Sequence, residues 1–265
     1  MVINKDLKLD LNKTENIEIN GDDISLDFNI VSNANMFVKI EKVNKLFINV
    51  NVLDNIESTI FFWNETDNLI YIKENYILND NSRLNFGFGE CNDADSNIDI
   101  NIDLNGVNSF ANVASASLVR KNKNYNIKVV NNNIDTIAQI KNHAVVLNNG
   151  KLMIDAVGKI NNGAHRSESH QESRAICFEE GSNATILPEL LIDENDVKAS
   201  HAMSIGRMDE NQLYYMMSRG LDNKECTALI SLGYLIPVTN LIKDEDLKIN
   251  IQNELERKIK LLCSI

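Results

Sequence analysis

The chain has 265 residues, 43% of them hydrophobic and 24% charged, enough apolar material for a large core in one elongated domain or two compact ones, which excludes intrinsic disorder. Its formal charge is −12, and residues 1–200 hold 29 of the 38 acidic side chains against 18 of the 26 basic ones. A surface this acidic repels phosphate, and no basic patch with interleaved aromatics occurs, so neither nucleic acid nor an anionic membrane is an expected partner.

The chain opens on "MVINKDLKLD", which has no apolar stretch of signal-peptide length, and nowhere does an uncharged apolar run reach membrane-spanning length. A cytoplasmic protein is expected. From there to residue 200, apolar and polar side chains alternate in short runs: "LKLDL" (7–11), "ISLDFNI" (24–30) and "IDINIDL" (98–104) each put their apolar members on one face of an extended strand. Asn, Asp and Gly clusters separate the runs, such as "NNG" at 148–150 and 161–163, where positive φ costs little. Of 41 asparagines, 36 precede residue 201. An AT-rich coding bias enriches Asn, Ile and Lys, but a skew toward the strand region also suits amide ladders at the corners of stacked coils. With only two prolines, no helical periodicity before residue 200 and no clear hairpin spacing, a solenoid is preferred over a sandwich or barrel, although no clean repeat period emerges.

After His201 the pattern turns helical. Asp209 with Gln212, and Asp222 with Glu225, read as capping boxes; Gly220 and Gly233 read as stops for the two helices they open. Pro237 suits the first turn of a further segment. Ile251, Leu255, Ile259 and Leu262 recur at helical spacing along a closing amphipathic helix. The expected division is a β-helical domain over 1–203 and a helical domain over 204–265. Cys91, Cys177, Cys226 and Cys263 are scattered without a CxxC pair, which predicts buried reduced thiols rather than disulfides or a zinc knuckle.

The run "PELLIDENDVKASHAMSIGRMDENQLYYMMSRGL", residues 188–221, resembles the signature of the SufB/SufD family, scaffold proteins of iron–sulfur cluster assembly. Its Pro-Glu-Leu strand start, D-V-x-A-S-H step, I-G turn and Tyr-Tyr helix closed by S-R-G-L carry the likeness. "GKINNGAHRSESHQESRAICFEEGSNAT" upstream and "LISLGYLIPV" downstream extend it to about residues 150–240. The resemblance implies a right-handed parallel β-helix followed by a helical domain that docks on SufC, an ATPase of the ABC type. It also implies pairing with a second SufB/SufD-like protein or with a second copy, and a transient iron–sulfur cluster at a site that ATP-driven closure of SufC opens.

His201 falls on the histidine that SufD-type members contribute at the pairing interface, and an imidazole suits an exchangeable metal site. The family's scaffold cysteine falls on Ser173, which supplies no thiolate. Cys177 shares its predicted strand face and is a substitute only if the register permits; a buried structural thiol is the preferred reading. Ala202 stands where SufB-type members carry a glutamate. Both departures point to the SufD side, while the shortness of the chain keeps a compact system of one scaffold with SufC as the alternative. On the helix after His201, Tyr214, Tyr215, Met216 and Arg219 are expected to meet a partner, with Leu213 and Met217 packed on the last coil. His165, Glu168 and His170 read as a solvated corner rather than a metal clasp. No GxxxxGK[ST] loop occurs, so ATP is expected on the partner and not on this chain, which is read as a non-enzymatic scaffold. The rivals are a β-helix polysaccharide lyase or hydrolase, disfavoured by the acidic strand region, and an end-to-end β-helical polymer, expected to be blocked by the helical domain capping one end.

Overall fold

The computed structural model describes residues 1–242 and 244–263, the last two without their side chains, so Leu262 and the Cys263 thiol lie outside what is described. One sheet stacks β1 (Val2–Ile3), β3 (Glu15–Asn20), β5 (Asn35–Glu41), β7 (Glu57–Asn64), β9 (Arg83–Glu90), β11 (Phe110–Val119), β13 (Ile137–Val146), β15 (Glu168–Cys177) and β17 (Lys198–Arg207), in that order. The other stacks β2 (Leu7–Leu11), β4 (Asp23–Ile30), β6 (Lys45–Val52), β8 (Ile70–Leu78), β10 (Ser96–Leu104), β12 (Asn122–Asn131), β14 (Lys151–Ile160) and β16 (Asn183–Ile192). Every pairing is parallel and skips one strand, so the chain climbs as a solenoid that places one strand of each coil in each sheet. Sandwiches and up-and-down barrels are built from antiparallel neighbours, so this topology decides among the three architectures.

Parallel pairing in register keeps side-chain parity from coil to coil: Ile98 lies between Ile72 and Tyr125, all three inward. The inner faces of the two sheets thereby merge into one apolar core running from Ile3 to Ile186. The coil lengthens along the chain, which explains the missing period. Asn29 sits 19 residues above Asp10, Asn126 sits 27 above Asp99, and Arg166 sits 31 above Asp135.

Asparagine stitches the coils in two ways. On the outer face of the even sheet, Asn75 donates to Asn49 at 3.0 Å, and Asn101 to Asn75. At one corner, Asn55, Asn81, Asn108, Asp135 and Arg166 stand above one another with φ between 55° and 60°, where Asn and Asp are the residues best tolerated after glycine. There Asn81 donates to Asn55, and Asn108 to Asn81. Arg166 is the exception in the column, held by a two-pronged ion pair to Asp135 at 2.7 and 2.6 Å.

The odd sheet departs from simple alternation because its outer face is covered too. In "ESTIFFWN" of β7 everything after Glu57 is buried. A second core joins Phe61, Trp63, Ala114, Ala116, Leu118, Val145 and Leu147 to Leu232, Leu235, Val238, Leu255 and Ile259 of the helical segment. Gly87 and Gly89 permit this: a Cβ there would lie 2.3 Å from the Phe61 ring and 2.5 Å from the Trp63 ring. The helices are α1 (Glu210–Ser218), α2 (Asn223–Leu235) and α3 (Glu245–Cys263), with a 3-10 turn at Ile236–Leu241 that Pro237 opens. α2 and the 3-10 turn lie on the flank of the solenoid, against β9, β11 and β13, with α3 packed beside them and α1 on α2; among the described residues they leave the end at β17 uncapped, contrary to the expectation of a capping domain.

Asp222 and Glu225 form the full capping box, whereas Asp209 caps through Asn211 without help from Gln212. Gly220, at φ 97°, ends α1. Gly233 does not end α2, which continues to Leu235 because Leu232 and Leu235 bury against the sheet and reward two more helical residues.

One charged knot ties α3 to the flank. Glu65, at the end of β7, takes Lys258 of α3 at 3.0 Å, Lys39 of β5 at 2.8 Å and the Trp63 indole N–H at 3.0 Å. Burial opposes the charge on Glu65, but hydrogen bonds from Lys39, Trp63 and Lys258 outweigh it and hold the carboxyl down at about 2.

Candidate functional site in the terminal coil

A coil of a solenoid is finished by the next one, and β17 has none. It pairs with β15 on one side, its other edge carries no strand among the described residues, and all ten of its residues are exposed. Register places His201 beside Gln171 and Met203 beside Ser173, so His201, Met203 and Ile205 continue the inward parity of β15. With no coil beyond, that parity faces the open mouth: Met203 is 48% and Ile205 40% exposed. On β16 the inward Ile192 is also exposed, and Leu187 and Leu191 stand exposed on its outer face. After Lys198 the outward positions of β17 are small: Ser200, Ala202, Ser204 and Gly206.

Ser173, Ala175 and Cys177 share the inner face of β15, as period two requires, and all three are buried. Cys177 packs in the main core, and burial pushes its thiol upward against the opposing charge of Arg207. A protonated, enclosed thiol is a poor metal ligand. Ser173 takes a hydrogen bond from Asn142 at 3.1 Å, and Asn142 takes one from Ser115 at 2.7 Å. His201 stands one strand over and two residues along from Ser173, a separation of about 8 Å by sheet geometry.

His165, Glu168 and His170 do not converge. His165 sits at a corner, 3.3 Å from Glu194, while Glu168 and His170 stand on the outer face of β15, 3.2 Å apart. Among the described residues no group of three His, Cys, Asp or Glu is close enough to hold a metal ion.

α1 buries no residue. Tyr214 is 76% and Tyr215 58% exposed, Met216 is half-buried, and Arg219 stacks on the Tyr215 ring. Met217 is also exposed and does not pack on the last coil, because α1 leans on α2 instead; Leu213 is only half-buried. Beside it a groove of about 470 Å³ between α2 and α3 is lined by Leu221, Ala228, Leu229 and Leu232, with Glu256 and Lys260 at its rim. Among the described residues no helix is long and apolar enough to cross a membrane.

Sequence reading missed a buried polar node in the middle coils. Lys123 and Glu90, neither with any exposure, pair at 2.8 Å, and the Tyr125 hydroxyl donates to the other Glu90 oxygen at 2.5 Å. Nearby in sequence, Glu74 has only Tyr76 as a donor and one carboxyl oxygen without a partner. Burial raises its carboxyl to about 8. The signal was present: Glu74, Glu90 and Lys123 each fall in the apolar phase of an alternating strand.

Comparison with known proteins extends the likeness well beyond residues 150–240. The SUF system FeS cluster assembly, SufBD core domain family matches residues 39–234. The chain is 32% identical over 181 residues, 68% of its length, to the iron–sulfur cluster assembly protein SufD of Bacillus subtilis, and 23% identical over 147 residues to that of Escherichia coli. It is 30% identical over 127 residues to an iron–sulfur cluster assembly SufBD family protein of Mycobacterium bovis. It spans 41%, 35% and 14% of the lengths of those three proteins. With strand after strand of the solenoid and the first two helices inside the matched region, this chain belongs to the SufB/SufD family.

Proposed function

We propose that the protein is a non-catalytic scaffold subunit for iron–sulfur cluster assembly in the cytoplasm, with the nascent cluster as its cargo. The observation that carries the reading is the open terminal coil: a ten-residue strand with a free edge, an uncovered apolar face and His201 on that face. An unpaired edge is a template for strand addition, so a second SufB/SufD-like protein, or a second copy, would pair here and bring its own ligands to the imidazole. A cluster that must later leave is better served by one exchangeable nitrogen and ligands from across an interface than by a closed set of cysteines. Ser173 offers no thiolate and Cys177 is enclosed, so the thiolates are assigned to the partner and to the cargo's donor.

The exposed aromatics of α1 and the apolar groove beside it suit a SufC-type ATPase, which would supply the ATP site. Tyr214, Tyr215, Met216 and Arg219 are the residues expected to meet it.

Anaerobic reconstitution with iron and sulfide tests the site. His201→Ala should leave the circular dichroism and the melting temperature unchanged and lower retained iron and sulfide severalfold in the paired complex. Unchanged iron and sulfide would remove His201 from the site, and the native mass of the complex distinguishes a self-pair from a mixed pair.

A further inference from the structure

β17 has little to hold it. All ten of its residues are exposed, its one strand pairing among the described residues is to β15, and across the coil it meets β16. Among the described residues only two side-chain hydrogen bonds reach it. Both come from the outer face of β15 and both land at its first three residues: Lys198 Nζ donates to Glu168 Oε1 at 2.7 Å, and Ser200 Oγ meets His170 Nδ1 at 2.8 Å. They are joined, because His170 Nε2 lies 3.2 Å from Glu168 Oε2. The neutral imidazole with its proton on Nε2 satisfies the whole set: Nε2–H donates to Glu168, and the Ser200 hydroxyl donates to Nδ1.

We propose that Glu168 and His170 are positioning residues, which with Lys198 and Ser200 form a side-chain clip that fixes the half of the terminal strand bearing His201. The clip closes on the residue immediately before His201 and on the opposite face, so it sets the strand's twist there without occupying the side offered to the cluster. Met203 to Arg207 lie beyond it, on the backbone ladder to β15 with no side-chain hydrogen bond among the described residues. The strand is thus stiff where the imidazole is presented and looser where apolar side chains must adapt to a partner.

The cluster-binding part of this rests on the scaffold reading above, and the test separates the two. Hydrogen–deuterium exchange of the full chain should show the amides of Ala199 to Met203 exchanging more slowly than those of Ser204 to Arg207. His170→Ala should speed exchange in the first group by roughly five- to tenfold, the loss of a hydrogen bond or two, and leave β9 and β11 unchanged. His170→Gln, whose amide supplies both a donor and an acceptor, should restore the slow exchange, and Lys198→Met should reproduce part of the loss. Exchange unaffected by His170→Ala, or not rescued by Gln, overturns the clip. If the clip variants behave as expected and retained iron and sulfide fall with His170→Ala as with His201→Ala, both readings hold. If exchange shifts but neither variant lowers iron and sulfide, the clip stands and the assignment of His201 fails.

Discussion

β9 and β17 belong to one sheet and both alternate along their length, yet they end in opposite environments. β9 has a strand on each side, the even sheet behind it and the helical segment in front, so that from Leu84 onward only Asn85 escapes full burial. Among the described residues β17 pairs with β15 alone, and although β16 lies beside it, all ten of its residues stay exposed. Burial in a solenoid is conferred by position in the stack as much as by side-chain chemistry. The place where the stacking stops is therefore where apolar side chains remain available to a partner.

The sharpest way to break this contrast is to truncate one large side chain in each strand. Phe86→Ala, with no exposure, should cost about 3–5 kcal/mol in chemical denaturation. Met203→Ala should stay within about 0.5 kcal/mol and instead weaken association with the second scaffold protein in sedimentation. Equal costs at the two sites would mean that the terminal coil is not open.

Glu74 sharpens the comparison through pH. Its carboxyl, raised by burial from 4.5 to about 8, binds a proton in the folded state across a range where the unfolded chain has released it. Stability is thus fullest below about 4.5 and declines as pH rises toward 8. Glu74→Gln should flatten that decline and add on the order of a few kcal/mol at alkaline pH, read from denaturation midpoints at a series of pH values.

A smaller effect than at Glu74 is expected at the knot on the flank. Glu65→Gln should loosen α3 by about 1 kcal/mol, seen as faster exchange in α3 with the coils unchanged. Glu65 has a depressed carboxyl, so its contribution is present above about 4.5 and lost as pH falls toward 2.

The strands, their parity and a change to helical pattern in the residues after His201 could be read directly, because alternation and capping are local. "IDINIDL" is β10 inside and out, and Asp222 with Glu225 caps α2 as written. What escaped is what depends on distant neighbours. The outer face of "ESTIFFWN" looks like a buried strand of any kind until α2 and α3 are seen to cover it. For the same reason the helical segment is not a detachable appendage. Cutting before residue 207 would uncover Phe61, Trp63 and Leu118 and would not leave a well-behaved solenoid. In the site, His201 stood out through the motif around it. Its clip did not, since Glu168 and His170 meet Lys198 and Ser200 only because one full coil separates them, at sequence separations of 30 residues.

The growing coil also constrains assembly. The strands lengthen from five residues in β2 to ten in β16 and β17, so a rung added at the mouth must be equally long to use every backbone donor and acceptor there. The early rungs are too narrow to serve, and a second molecule approaching with them would leave half of the wide rim dangling in water. Mouth-to-mouth contact between two wide rims has no such mismatch. If the proposed pairing joins two molecules in this way, both mouths are used up and the pairing itself offers no rim to a third.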